Sequence, residues 1–189
     1  MKDKIIFILA EGFEEIEALA PIDFLRRLGF EIIIVGAQNF DSQRKNNKIK
    51  GAHGIIVEAD IMLADISGVP KAVILPGGMP GSTNLRDNKA VIELVSRTYE
   101  KGNLVAAICA ATIVLNEAEI LDNKTITSHP SVEGIFGDNI TYTGNRVEQD
   151  GNIITAKAAG ASFDFALKIA EFLDKKEEAE AMLKAMFVV

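Results

Sequence analysis

Short, continuous apolar runs recur along this chain, with helical patterns between them. The runs are IIFILA at 5–10, FEIIIVGA at 30–37, GIIVEA at 54–59, KAVILPGG at 71–78 and NLVAAIC at 103–109. A strand that is apolar on both faces has to be covered on both faces, and strands that alternate with helices indicate a parallel sheet. The sequence therefore predicts an α/β fold, with a mostly parallel sheet and helices on both of its faces.

The helical segments have recognisable ends. A helix is predicted over 14–28, where apolar residues share one face and Gly29 supplies the stop. Pro21 should kink this helix or mark a second start. Further helices are predicted near 88–101, from about 162, and over 175–186.

One segment departs from the parallel pattern. In ITYTGNRVEQDGNIITAKA, residues 140–158, two β-prone runs flank Asp150-Gly151, which is a strong signal for a β-hairpin. The chain has no internal repeat, low-complexity tract or linker, and its 189 residues suit a single domain over 1–189.

Charge and cysteine content narrow the possible functions. Twenty Lys and Arg residues against 27 Asp and Glu give a net charge of −7, which repels phosphate backbones, so no nucleic-acid partner is expected.

No stretch approaches the roughly 18 apolar residues of a membrane span. The start of the chain turns acidic too early for a secretory signal, and a lone cysteine forms no internal disulfide. We expect a cytoplasmic protein without membrane association.

The lone cysteine, Cys109, follows the apolar run 103–108 and precedes a predicted helix over 110–117. Open α/β sheets bind their ligands at the carboxyl ends of the strands. A sharp turn from strand to helix resembles a nucleophile elbow, and N–H groups at a helix start predict a lowered thiol pKa. Buried packing beside Ala and Ile is the alternative.

Glycines follow another of these runs. Gly77 and Gly78 leave backbone N–H groups near the same edge of the sheet, where they could stabilise an oxyanion on a substrate attacked by Cys109. A plain turn is the alternative explanation.

Three glutamates follow the first run. Glu14 and Glu15 are explained as partners of the helix dipole. Glu17 borders the apolar face, where burial would raise its pKa and suit it to proton transfer. A solvated helix glutamate is the commoner case.

The chain has two histidines. His129 precedes Pro130, which favours an extended or turn segment, and from there it could orient a nearby cysteine or move a proton. His53, in GAHGIIV, and His129 are each more commonly explained as surface residues. The set of Cys109, Glu17 and His129 is harder to attribute to chance than any single member.

Six stretches together resemble a known family. They are AEGFEEIEALAPIDFLRRLG, AVILPGGMPGSTNLRDN, AAICA, TSHPS, the YT-x-NRVE-x-DG hairpin and GASFDFAL, in order along almost the whole chain. The set resembles the ThiJ/PfpI family, in the branch of the parkinsonism-linked protein described as a protein deglycase and glutathione-independent glyoxalase.

The resemblance implies a flavodoxin-like three-layer sandwich, of the class I glutamine amidotransferase-like type, that forms a homodimer. It implies that Cys109 is the nucleophile, that Glu17 is a protonated acid hydrogen-bonded to it, and that His129 is nearby. Oxyanion binding falls to Gly77, Gly78 and the backbone of Ala110. His53 is placed near the partner subunit's site.

The stretch after the cysteine departs from the family pattern. Where the branch reads Cys-Ala-Gly-Pro, this chain has Ala111 and Thr112 in the last two positions. Ala111 adds a methyl group and narrows the allowed backbone angles, while Thr112 restores an N–H at the helix start. The fold should survive, and the elbow angle and the room for substrate are the properties at stake.

These residues and the resemblance predict an enzyme that acts on methylglyoxal-type 2-oxoaldehydes and gives 2-hydroxy acids, without a metal or organic cofactor. Cys109 attacks the aldehyde, and Glu17, with His129, moves a proton between the two carbons. Removal of early adducts from Cys, Lys or Arg side chains is the same chemistry. A redox sensor or chaperone acting through oxidation of Cys109 is one alternative, and a cysteine peptidase is another.

Overall fold

The computed structural model describes residues 1–37 and 47–188, and a seven-stranded sheet lies at its centre. The strands are β1 (Ile5–Leu9), β2 (Ile32–Gly36), β3 (Lys48–Lys50), β4 (Ile56–Glu58), β5 (Ile61–Met62), β6 (Ala72–Leu75), β7 (Leu104–Ile108), β8 (Thr125–Ile126), β9 (Thr141–Tyr142), β10 (Val147–Asp150) and β11 (Ile153–Ala156). The helices are α1 (Glu15–Arg27), α2 (Gly81–Arg86), α3 (Lys89–Glu100), α4 (Thr112–Glu117), α5 (Ser162–Phe172) and α6 (Lys176–Ala185).

The central sheet has the strand order β10-β11-β7-β6-β1-β2-β5. Its neighbouring strands are parallel, except for β10, which runs antiparallel to β11. Successive residues of the buried strands point to opposite faces. Phe7 and Leu9 pack with residues of α1, α5 and α6, whereas Ile6 and Ile8 pack with residues of α2, α3 and α4. The result is the α/β fold with helices on both faces that the sequence predicts, in the flavodoxin-like three-layer form that the resemblance implies.

Helix α1 spans nearly the predicted range and ends where expected. Gly29 follows it with a φ of +78° and donates its N–H to the Arg26 carbonyl. Pro21 lies inside α1 and starts no second helix, because buried residues on both sides of it hold the segment against the sheet. None of the described helices is both long enough and apolar enough to cross a membrane.

The apolar run 54–59 does not join the central sheet as a parallel strand. Its β4 pairs antiparallel with β3 in a separate two-stranded ribbon, and Ile55 and Ile56 stay exposed. The adjacent β5 takes the edge position beside β2. The predicted hairpin is present, with Gly151 at a φ of +61° between β10 and β11, although the start of the first run forms β9 and pairs with β8.

Candidate active site

Cys109 lies where β7 ends and the chain turns towards α4. Its φ is +63°, in a region where a residue with a side chain is strained by about 1–3 kcal/mol. Hydrogen bonds hold this conformation: the Cys109 carbonyl accepts from the His129 N–H and from the Thr112 hydroxyl, each at 3.3 Å. The turn thus presents a half-buried thiol at the carboxyl edge of the sheet.

Glu17 reaches the same place from the first turn of α1. Its side chain is buried, and its Oε2 accepts a hydrogen bond from the Gly77 N–H at 2.8 Å. The carboxyl is also hydrogen-bonded to Cys109, and burial raises its pKa to about 7. This confirms the expectation that burial would raise the pKa of Glu17.

Gly77 makes the approach of Glu17 to Cys109 possible. A Cβ atom at position 77 would lie 2.5 Å from the Glu17 Oε2 and 2.8 Å from the Cys109 Cβ. Any residue other than glycine would therefore displace Glu17 or Cys109. The Gly77 N–H is already donated to Glu17. Its role as an oxyanion donor stays a prediction, and in this structure the Gly77 N–H positions the acid.

The surroundings of the Cys109 sulfur have opposing effects on the pKa of its thiol. Backbone N–H groups of Ala110 and Gly78 hydrogen-bond to it and favour the thiolate, but burial and the Glu17 carboxylate raise the thiol pKa. The predicted lowering of the thiol pKa is wrong, and α4 begins only at Thr112, after a 3-10 turn over residues 109–111. Burial and the carboxylate outweigh the two N–H groups.

Cys109 and Glu17 titrate as a coupled pair. When the proton resides on Glu17, the negative charge that opposes the thiolate is gone, and the Gly78 and Ala110 N–H groups remain beside the sulfur. The arrangement brings a thiol, a carboxylic acid and two N–H donors together in one site.

His129 adjoins the site through its backbone. Its N–H is bonded to Cys109, while its Nδ1 lies 2.8 Å from the Ser131 Oγ and accepts from the Ser131 N–H at 3.2 Å. The ring is thus oriented by Ser131. Among the described residues, no hydrogen bond joins the His129 ring to the Cys109 thiol.

His53 lies apart from the thiol. Its Nδ1 is 2.8 Å from the Glu15 Oε2, and its side chain is 72% exposed. Glu15, explained from sequence as a helix-dipole partner, is instead a buried acceptor for the backbone of residues 53 and 55. Sequence reasoning missed it because nothing in the local pattern distinguishes Glu15 from its neighbours. The role of His53 at a partner subunit stays a prediction.

The departure at Ala111 and Thr112 is accommodated. Ala111 has a φ of −65°, an ordinary helical value that does not need glycine. Thr112 has a φ of −57° and is buried, and its hydroxyl lies 3.3 Å from the Cys109 carbonyl and 3.4 Å from that of Thr127. The elbow is therefore formed without the Gly-Pro pair, and a threonine hydroxyl has joined its support.

Fold and site together define a class: flavodoxin-like α/β proteins with a cysteine at a strand-to-helix turn and a buried glutamic acid against it. Solved structures of other proteins superimpose closely on the chain. The crystal structure of Drosophila melanogaster DJ-1beta matches with a TM-score of 0.91 and 34% identity over 100% of both chains. A cysteine-to-alanine mutant of a Salmonella typhimurium DJ-1 superfamily protein matches with a TM-score of 0.89 and 32% identity, over 99% of this chain and 98% of that one.

The chain belongs to the DJ-1/PfpI family, whose sequence model matches residues 3–172. The Danio rerio Parkinson disease protein 7 homolog is 34% identical over 97% of this chain and 96% of its own length. A Caenorhabditis elegans protein named glutathione-independent glyoxalase is 30% identical over 98% of this chain and 96% of its own. The predicted family is thereby confirmed.

Proposed function

We propose that this protein is a cofactor-independent glyoxalase that converts small 2-oxoaldehydes to 2-hydroxy acids, with Cys109 as its nucleophile. The observation that carries the proposal is the contact between Cys109 and the buried Glu17, with the Gly78 and Ala110 N–H groups at the sulfur. A family relative named as a glutathione-independent glyoxalase supports the same reaction class.

The first step is addition to the aldehyde. The Cys109 thiolate bonds to the aldehyde carbon of methylglyoxal, and the carbonyl electron pair moves to oxygen. The Gly78 and Ala110 N–H groups stabilise that oxyanion until it takes a proton, which gives a hemithioacetal. The protonated Glu17 is the nearest acid for this transfer.

The second step is an isomerisation followed by hydrolysis. Glu17, now a carboxylate, moves the proton of the first carbon to the second, and the hydroxyl proton of the hemithioacetal moves to the ketone oxygen. A thioester and a new hydroxyl thereby replace the hemithioacetal and the ketone. Water then attacks the thioester, releasing lactate and restoring the thiol. A pKa of about 7 lets Glu17 act in both directions near neutral pH.

Removal of early adducts from protein side chains follows from the same chemistry, either directly or by consuming free aldehyde. Redox sensing through Cys109 is the second candidate, because the thiol is only half-buried and two N–H groups would stabilise an oxidised sulfur. A solved structure of a relative from Toxoplasma gondii is described as oxidized.

The proposed function is tested by incubating the protein with methylglyoxal in the absence of glutathione, and following aldehyde loss and lactate formation. The unsubstituted protein should form lactate, and Cys109→Ala should form none while unfolding at an unchanged or higher temperature. Equal lactate from both proteins would contradict the role of Cys109.

If neither protein forms lactate, the glyoxalase proposal fails and the redox alternative is decided by a second measurement. Mild peroxide followed by mass spectrometry should then show two oxygen atoms added at Cys109. Hydrolysis of casein that depends on Cys109 would instead favour the peptidase alternative.

We also propose that the chain forms a homodimer through an apolar face made of Ile16, Ile55 and Ile56. These side chains are 55%, 52% and 59% exposed. They adjoin one another because the Ile55 N–H is bonded to Glu15, the residue before Ile16. Exposed large aliphatic residues grouped in this way are typical of an interface.

A further inference from the structure

Glu14, Glu15 and His53 bring three metal-ligating side chains together outside the Cys109 site. One ligand atom from each residue lies within 4.8 Å of the others. The His53 Nδ1 is 2.8 Å from the Glu15 Oε2 and 3.9 Å from the Glu14 Oε1. The three residues come from two segments, the start of α1 and the turn between β3 and β4.

Each carboxylate has one oxygen fixed by the backbone and another directed at the imidazole. The Glu15 Oε1 accepts from the N–H groups of His53, at 2.7 Å, and Ile55, at 3.3 Å, which leaves Oε2 for the ring. The Glu14 Oε2 accepts from the Glu17 N–H at 2.7 Å, which leaves Oε1. Such anchoring orients ligand atoms before an ion arrives, as outer-shell hydrogen bonds do in metal sites.

The imidazole of His53 pairs with Glu15, and among the described residues this leaves the charge of Glu14 without a cationic partner closer than 3.9 Å. The Glu15 side chain is only 5% exposed and that of Glu14 15%. Within residues 1–37 and 47–188, no lysine or arginine nitrogen forms a salt bridge with either carboxylate, and the imidazole carries at most one positive charge against two negative ones. Buried charges in proteins are either paired or coordinated to a metal.

We propose that Glu14, Glu15 and His53 form a binding site for a first-row divalent cation, with Zn²⁺ as the best match. Two carboxylate oxygens and one imidazole nitrogen suit such borderline ions, and ligands about 2.1 Å from a tetrahedral zinc lie about 3.4 Å apart. The observed separations of 2.8 and 3.9 Å bracket that spacing. The His53 side chain is 72% exposed in the single chain, and water or a group of the partner subunit completes the coordination. The site joins the start of α1 to the β3–β4 turn, and the proposal of a metal there does not rest on the glyoxalase proposal.

The test measures Zn²⁺ binding by calorimetry on protein freed of any affinity tag. Cys109→Ala serves as the background, because a thiolate would itself bind zinc. The Cys109→Ala protein should bind one zinc ion per chain and unfold at a higher temperature when zinc is present. Adding His53→Ala should weaken binding by at least about 10-fold and remove the thermal shift.

The second histidine supplies the matched control. Adding His129→Ala to the Cys109→Ala background should leave zinc affinity unchanged, since His129 lies in the other site. Glu14→Gln provides a second variant: its amide oxygen can still accept from the Glu17 N–H and cap α1, yet it should weaken zinc binding as His53→Ala does. Absence of binding in the background protein, or equal affinity after His53→Ala, would overturn the proposal.

Discussion

Glu17 can serve as an acid near neutral pH because its carboxyl is almost entirely removed from water. Burial destabilises the charged form of the Glu17 carboxyl, and Glu14 adds a second negative charge nearby. The hydrogen bonds from Gly77 and Cys109 act in the opposite direction without cancelling this effect. One residue therefore connects the chemistry of the site to the stability of the fold.

The raised pKa predicts a pH dependence of stability. The ordinary pKa of 4.5 applies to Glu17 in the unfolded chain, whereas the folded value is about 7, so the folded state binds more protons between these pH values. The resulting stabilisation is fully present below about pH 4.5 and is lost as the pH rises through 7. It corresponds to about 3 kcal/mol.

Urea unfolding at pH 5 and pH 8 measures this effect. Between these two conditions the unsubstituted protein should lose about 2–3 kcal/mol more free energy of unfolding than Glu17→Gln, which carries no titrating group at this position. Identical changes in the two proteins would show that Glu17 does not hold its proton in the folded state.

Substitutions of Thr112 test whether its hydroxyl supports the turn that carries Cys109. Thr112→Val keeps the shape of the side chain but leaves the Cys109 and Thr127 carbonyls without its hydroxyl, which should cost about 1 kcal/mol of stability. Lactate formation should fall several-fold, because the thiol is less firmly placed. Thr112→Ser, which retains the hydroxyl, should keep the rate near that of the unsubstituted protein. A rate in Thr112→Val equal to that of Thr112→Ser would rule out a positioning role.

At the scale of elements, the site depends on close packing between two loops that follow parallel strands. Gly12, after β1, has a φ of +85°, and a Cβ there would lie 2.4 Å from the Pro80 Cδ and 2.7 Å from the Pro80 N. The Gly81 N–H donates to the Gly12 carbonyl at 3.2 Å. The loop that carries Gly77 and Gly78 is thus held against the loop that leads to Glu17.

Gly12→Ala should therefore destabilise the protein by more than the cost of the backbone conformation. Gly68→Ala is the matched control, since Gly68 has a φ of +83° but no atom within 4 Å of its added Cβ. The control should cost about 1–2 kcal/mol, and Gly12→Ala roughly 2 kcal/mol more, because Pro80 has to move. Denaturant unfolding gives both values. Equal losses would mean that the two loops separate without cost.

At the scale of the whole molecule, parallel topology collects distant residues at one edge. Glu17, Gly77 and Cys109 follow β1, β6 and β7, which lie side by side in the sheet. Ile16, Ile55 and Ile56 lie on the outside of the same end of α1, which places the proposed dimer face close to the site.

Ile56→Glu tests that face. A charge on an interface of aliphatic side chains would remain buried without a partner, so the variant should sediment as a monomer where the unsubstituted protein sediments as a dimer. Ile135→Glu, at a side chain of similar exposure in the separate 3-10 turn over Pro130–Ile135, should leave the dimer intact. A monomeric unsubstituted protein, or a dimeric Ile56→Glu, would contradict the proposed interface.

The sequence by itself determined the central strands, the main helices and the placement of Cys109 at a strand end. These features follow from local periodicity: fully apolar runs of about five residues, helical spacing that ends at Gly29, and a turn at Asp150-Gly151. The same local signal misassigned the run 54–59, because a run of exposed apolar residues has the same sequence pattern as a buried strand.

Only the tertiary structure decided the electrostatics of the site. The thiol pKa depends on a carboxyl 92 positions earlier in the chain, by the numbers of Glu17 and Cys109, and on how deeply both are buried. Two further contacts also join segments that are far apart in the sequence. The Gly77 N–H is donated to Glu17, and Glu15 is buried against His53. Periodicity specifies which side of an element is apolar, but solvation and charge at one atom depend on everything that packs around it.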